Sequence, residues 1–100
     1  MTDSDEIVIG DLKIAESVVT RMIRESAAAI DGVAQVREAN VVPKDGTLGV
    51  EVSLVVGYKT IFPDVAASVQ TAITDDINRT TGIKVSEVNV MVERLDFSKD

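Results

Sequence analysis

Two segments of the sequence carry apolar residues three and four positions apart, the spacing that lines one face of an α-helix. The first spans residues 15–30. The second opens at Pro63, whose fixed φ and missing N–H suit a helix start, and closes at Gly82. Each predicted helix has one apolar stripe that another layer must cover. The stripes consist of Val18, Val19, Met22, Ile23, Ala27 and Ile30, and of Val65, Ala66, Val69, Ala72, Ile73 and Ile77.

The segments around the helices alternate apolar and polar residues, which is the period of a strand with one buried face. The turn-forming run at residues 43–46 predicts an antiparallel hairpin between the second and third strands. A change of parity between Val85 and Val88 predicts a bulge in the last strand. The predicted strands are a short, interrupted one at residues 7–14 and longer ones at residues 33–42, 50–58 and 83–97.

This order, β-α-β-β-α-β, predicts an α+β two-layer sandwich in which both helices pack on one face of a four-stranded sheet. We expect residues 1–6 to form a disordered acidic N-terminus, residues 7–97 a single domain, and residues 98–100 a frayed C-terminus. The predicted core contains Val18, Met22, Ile23, Val52, Leu54, Val69, Ile73, Val88 and Val90.

Charge and composition exclude several functions. The 100 residues include 17 acidic and 10 basic side chains, for a net charge of −7, so the polyanion nucleic acid is not an expected partner. The chain has no His and no Cys, which excludes imidazole and thiolate metal sites and the Ser-His-Asp and Cys-His triads. An acidic N-terminus and the lack of about 18 consecutive apolar residues predict a cytoplasmic protein that does not insert into the membrane.

The remaining polar residues do not form a recognisable catalytic set. Asp75 and Asp76 are adjacent, so on a helix they point about 100° apart instead of flanking one substrate. Asp75 is instead predicted to pair with Arg79 on the helix surface. The glycines at positions 46 and 49 lack the lysine of a phosphate-binding loop. We therefore expect no catalytic, cofactor-binding or metal-binding residues, and no enzymatic activity.

A protein-interaction surface is the remaining candidate site. If the helices cover one sheet face, the opposite face presents Val55 on the third strand and Met91 on the last. Tyr58 joins them as a candidate because tyrosine offers a large contact area at low entropy cost. The alternative is that these are isolated surface side chains, since single exposed apolar residues are common.

Four segments match motifs of one family. They read LKIAESVV at residues 12–19, IDGV at 30–33, IFPDVA at 61–66 and TGIKVSEVNV at 81–90. Together they resemble the alkaline shock protein family, also called the Gram-positive envelope stress response family, and the last motif is the most specific. Glu16 departs from the Pro that many relatives carry at the helix start. The 61–66 segment has one inserted residue relative to the family pattern.

The resemblance implies a non-enzymatic, acidic bacterial protein of the cytoplasm, tied to cell-envelope homeostasis. It further implies self-association, a membrane-anchored protein partner, or both, with location at the membrane only through that partner. Two other classes stay open. An ACT-like regulatory module would bind a small molecule beside a Gly-rich turn between the first strand and helix, and an acylphosphatase-like hydrolase would need Arg there. The sequence has Lys13 and no glycine at that junction.

Overall fold

The computed structural model describes residues 5–57 and 59–94. Within them the chain forms five strands and two helices, and both helices lie against a sheet of three strands. In chain order the elements are β1 (Glu6–Ile9), β2 (Leu12–Ala15), α1 (Glu16–Ala28), β3 (Val33–Lys44), β4 (Thr47–Val56), α2 (Phe62–Thr81) and β5 (Val85–Arg94).

The predicted four-stranded sheet is wrong, because the first strand folds back on itself. Ile9 pairs with Leu12 across the two-residue turn Gly10–Asp11, so β1 and β2 form a separate antiparallel hairpin. Gly10 has a φ of +60°, a conformation that glycine adopts without a Cβ clash. β1 begins at Glu6, one residue before the predicted start of the domain.

The main sheet has the strand order β3-β4-β5. β3 and β4 form the predicted antiparallel hairpin, in which Lys44 pairs with Thr47. β5 runs parallel to β4, because α2 carries the chain back to the other end of the sheet. The bulge predicted in the last strand is confirmed: Leu48 pairs with Val85 and Gly49 with Glu87, which leaves Ser86 as the extra residue.

Both helices bury their apolar stripes on the same side of this sheet. In α1 the stripe is centred on Val19, Ile23 and Ala27, and the prediction that Val18 joins the core is wrong. Val18 points about 100° away from Val19 and is 47% exposed. In α2, Gly82 ends the helix as predicted, with a φ of 78° and its N–H donating to the Asn78 carbonyl. The core also contains Ile7, Ala39, Leu48, Val50, Val52, Leu54, Val56, Val65, Val69, Ile73, Ile77, Ile83 and Val88.

A polar contact joins the two helices. The Ser26 hydroxyl of α1 donates to the Asp76 carboxylate of α2, and Arg79 pairs with the same carboxylate. The ion-pair partner of Arg79 is thus Asp76 and not the predicted Asp75. Asp76 lies on the side of α2 that faces α1, whereas Asp75 is exposed. The Ser26 hydrogen bond, and then Arg79, hold the pKa of Asp76 below its ordinary value of 3.8 against the opposing effect of burial.

Leu54 tests the assignment of the buried face of β4. Its side chain is completely buried among the helices. Leu54→Ala should lower the free energy of unfolding by about 2–5 kcal/mol, because the substitution leaves a cavity in a packed core. The control, Ser53→Ala, alters the opposite face of the same strand and should stay within about 0.5 kcal/mol of wild type. Urea denaturation measures both; a Leu54→Ala loss as small as the control's would contradict the assignment.

Asp76 should make stability depend on acid pH. A carboxyl with a lowered folded-state pKa contributes stability that is fully present above its unfolded pKa and is lost as the pH falls through the folded value. Between about pH 5 and about pH 2, wild type should therefore lose more stability than Asp76→Asn. Asp75→Asn is the control, since it removes a carboxylate from the same turn without touching Ser26. Equal pH dependence of wild type and Asp76→Asn in urea titrations would refute the proposed linkage.

Candidate interaction surface

The side of the main sheet opposite the helices is called the outer face here. Residues alternate between the two faces along each strand, and the strand register aligns the outward ones in rows. The core residues of β4 are Leu48, Val50, Val52, Leu54 and Val56, so its outward residues are the ones between them. The outer face consists of Gln35, Glu38, Asn40, Val42, Gly49, Glu51, Ser53, Val55, Glu87, Asn89, Met91 and Glu93.

Two ion pairs cross the outer face from β3 to β5. Lys44 Nζ lies 2.9 Å from Glu87 Oε2, and an Arg37 guanidinium nitrogen lies 3.5 Å from Glu93 Oε1. The first pair passes over Gly49, where an added Cβ would lie 3.2 Å from Lys44 Cε. The hydrogen bond and charge of Lys44 lower the pKa of Glu87 below its usual range. Both acidic groups of β5 that face outward are therefore compensated by basic groups of β3.

The centre of the outer face, between these ion pairs, is a shallow depression lined by both polar and apolar side chains. Its volume is about 410 Å³. Glu38 and Glu51 line it, and neither makes an ion pair with another described side chain. Met91 also lines it and is 63% exposed, which makes it the most exposed large apolar side chain among the residues described. The outer face thus combines acidic groups that make no described ion pair with an apolar anchor at Met91, and Val42 on β3 is a second, less exposed apolar side chain.

β5 is an edge strand, and its backbone adds hydrogen-bonding groups to this surface. No described strand pairs with β5 on the side away from β4. Gln70 of α2 donates to the Val88 carbonyl at 3.0 Å, so that carbonyl is directed away from β4. Backbone polar groups alternate sides along a strand, and those of Val90 and Val92 are therefore directed to the same side. This side of β5 is called the β5 edge below.

The other edge of the sheet, at β3, is partly closed. β3 carries extra residues at Ala34 and Arg37, where the register with β4 shifts. The guanidinium of Arg24, on α1, donates to the carbonyls of Val36 and Arg37 at 3.1 and 3.2 Å. An irregular strand whose carbonyls are already bonded to a helix side chain is a poor template for a further strand.

The three residues predicted for the interaction surface have different outcomes. Met91 is exposed on the outer face, as expected. Val55 lies on the same face but is only 6% exposed, which corrects its assignment as an accessible residue. It pairs in register with Gln35 and Glu93, and the Arg37–Glu93 ion pair spans β4 at its level, so long neighbouring side chains cover it. Tyr58 lies outside the residues that the structure describes.

Three observations bear on other kinds of site. Among residues 5–57 and 59–94, no three acidic side chains come close enough together to hold a metal ion. No helix in that part of the chain has both the length and the apolar content of a membrane span. β2 ends at Ala15 and α1 begins at Glu16, so these elements have no connecting loop in which a ligand could sit.

The fold and its surface define a class of small α+β protein, in which helices cover one face of a mixed sheet and leave the other face open. Residues 39–97 match the alkaline shock protein 23 family, which is described as having a cell envelope-related function. This match covers more than half of the chain, and the protein belongs to that family. The motifs at 61–66 and 81–90 lie within the matched region, whereas those at 12–19 and 30–33 precede it.

Solved structures of MamM CTD are similar in fold. The copper form superposes with a TM-score of 0.67 at 17% identity, covering 83% of this chain and 79% of that one. A doubly substituted form gives 0.67 at 15% identity, with 83% and 86% covered. A singly substituted form gives 0.59 at 15% identity, with 80% and 95% covered. The sequence matches none of the curated proteins.

The different burial of Val55 and Met91 predicts different costs for the same substitution. Val55→Glu should lower the free energy of unfolding by about 2–3 kcal/mol, because it places a carboxylate beside Glu93 in a covered position. Met91→Glu, at an exposed position, should change it by less than about 0.5 kcal/mol. Thermal and urea denaturation at low protein concentration would measure both. Equal costs would show that Val55 is as accessible as Met91.

Proposed function

We propose that this protein is a non-enzymatic interaction module of the cell envelope-related family, and that it works through protein–protein contacts made by the outer face and the β5 edge. Its partners are copies of itself, a membrane-anchored protein, or both. In this proposal the protein resides in the cytoplasm and reaches the membrane only through that partner.

The exposed Met91 side chain, on an open sheet face next to the β5 edge, is the observation that carries the proposal. A flexible thioether side chain adapts to irregular partner surfaces, and Met is enriched at protein interfaces. Apart from the Val88 carbonyl, which accepts from Gln70, the β5 edge adds N–H and C=O groups that no described strand pairs, and these can bind another strand by main-chain hydrogen bonds. The family membership supports a role connected with the cell envelope.

The absence of catalysis is part of the proposal. The polar groups of the outer face are carboxylates, amides and a hydroxyl, and both basic groups that reach this face are engaged in ion pairs. General acid–base catalysis needs a group whose pKa is tuned near the working pH, whereas the pKa values resolved for Asp76 and Glu87 are shifted further from neutrality. The ACT-like alternative receives less support. Such a module would bind its ligand beside a turn between the first strand and the first helix, whereas here α1 follows β2 without a connecting turn.

Self-association should strengthen as the salt concentration rises. The net charge of −7 makes copies repel one another, and salt screens that repulsion beyond about 8 Å at physiological ionic strength. Sedimentation of wild type at low and physiological salt should show dimers or larger species, with more of them at the higher salt. Met91→Glu should weaken association, whereas Thr71→Glu, which adds the same charge on the exposed surface of α2, should not.

A strict monomer at high concentration in both salts would remove self-association from the proposal and leave only the membrane-anchored partner. Affinity capture from the native host, with and without detergent, tests that partner. Retention of a membrane protein in the presence of detergent, and its loss with Met91→Glu but not with Thr71→Glu, would support the hetero-partner.

A further inference from the structure

Building on the proposed self-association, we infer that two copies of the chain pair through their β5 edges, antiparallel and centred on Met91. The product is a two-fold symmetric dimer whose main sheet is continuous, with six strands in the order β3-β4-β5-β5-β4-β3. The inference rests on the edge-directed backbone groups of Val90 and Val92, since the Val88 carbonyl already accepts from Gln70. It rests also on the charges and apolar groups that each register would bring together.

The backbone restricts the registers that are open to such a pair. The groups of Val88, Val90 and Val92 are directed to the β5 edge, whereas those of Asn89 and Met91 are directed towards β4. In an antiparallel pair the residues with edge-directed groups must face one another. This condition leaves three registers near the middle of β5, with the two-fold axis at Asn89, Val90 or Met91.

Charge argues against the register centred on Val90. That register places Glu87 directly opposite Glu93 of the second copy, at two symmetric positions on the outer face. Like charges directly opposed across two strands are destabilising. The intramolecular ion pairs to Lys44 and Arg37 compensate each carboxylate, but they do not separate the two carboxylates.

The other two registers differ in which residue of the second copy lies opposite Met91. An axis at Asn89 places Met91 opposite Glu87 of the second copy, which sets an apolar side chain against a charged one. An axis at Met91 instead stacks the two Met91 side chains, each 63% exposed in the single chain, on the outer face. It also sets the Asn89 amide opposite the Glu93 carboxylate, to which the amide can donate. The register centred on Met91 therefore buries the apolar anchor and opposes no like charges among the described outward residues.

Single-cysteine variants test this register directly, because the natural chain has no cysteine. At Met91 the two Cβ atoms would form a non-hydrogen-bonded cross-strand pair about 4.5–5.5 Å apart, close to the separation that a disulfide requires. At Asn89 the same axis places them roughly 13 Å apart, since each lies opposite position 93. Met91→Cys should therefore form disulfide-linked dimers at least about tenfold faster than Asn89→Cys under mild oxidation.

The experiment compares Met91→Cys, Asn89→Cys and Val42→Cys, the last of which places the same thiol on the outer face at β3. All three are first characterised under reducing conditions by circular dichroism and sedimentation, so that folding and association are known before oxidation.

Fastest cross-linking of Met91→Cys supports the inference. Fastest cross-linking of Asn89→Cys overturns the register. Fastest cross-linking of Val42→Cys, or equal rates for all three in a chain that still dimerises, overturns pairing through β5 and leaves the proposed self-association standing. Monomers under reducing conditions overturn both.

Discussion

β4 is the element on which the rest of the molecule depends, because it is the central strand and supplies the middle of the core. Its inward residues, from Leu48 to Val56, are completely or almost completely buried under both helices. Its outward side holds the two ion pairs apart from one another, with Gly49 beneath one and Val55 beside the other. A strand hydrogen-bonded on both sides cannot shift by one residue without exchanging its two faces, so β4 fixes which groups reach the outer face.

Local signals in the sequence predict much of this fold. The α2 stripe, the Gly82 helix end, the β3–β4 hairpin and the bulge at Ser86 all follow from spacing or turn chemistry, and the structure contains them. The β1–β2 hairpin is a different case. The break at Gly10 is visible in the sequence, but apolar alternation cannot tell whether a short strand pairs with its neighbour or with the main sheet.

The surface was harder to predict, since it depends on register and on side-chain reach. Met91 could be found from parity alone, because parity decides which face it occupies. Parity also assigns Val55 correctly to the outer face, but it cannot report that longer neighbouring side chains cover it. The ion pairs between β3 and β5 join residues that are more than 40 positions apart and are aligned only after β4 is placed between their strands. The choice of Asp76 over Asp75 likewise depends on the rotation of α2 against α1.

The hydrogen bonds of Arg24 give the sheet two unlike edges. At β3 the Arg24 guanidinium donates to two carbonyls at an irregular point of the strand. At β5 the Gln70 side chain donates to one carbonyl, that of Val88, in the part of the strand that follows the bulge and pairs regularly with β4. A sheet that is open on both sides can add molecules without limit and grow into a fibre, which is the hazard that edge strands bring. A sheet with only one accessible edge has no free edge left once that edge has paired with a second copy, so its growth ends at a closed dimer. In the proposed dimer, Arg24 on the first helix would therefore help to end the growth of the sheet, although it lies at the edge opposite β5.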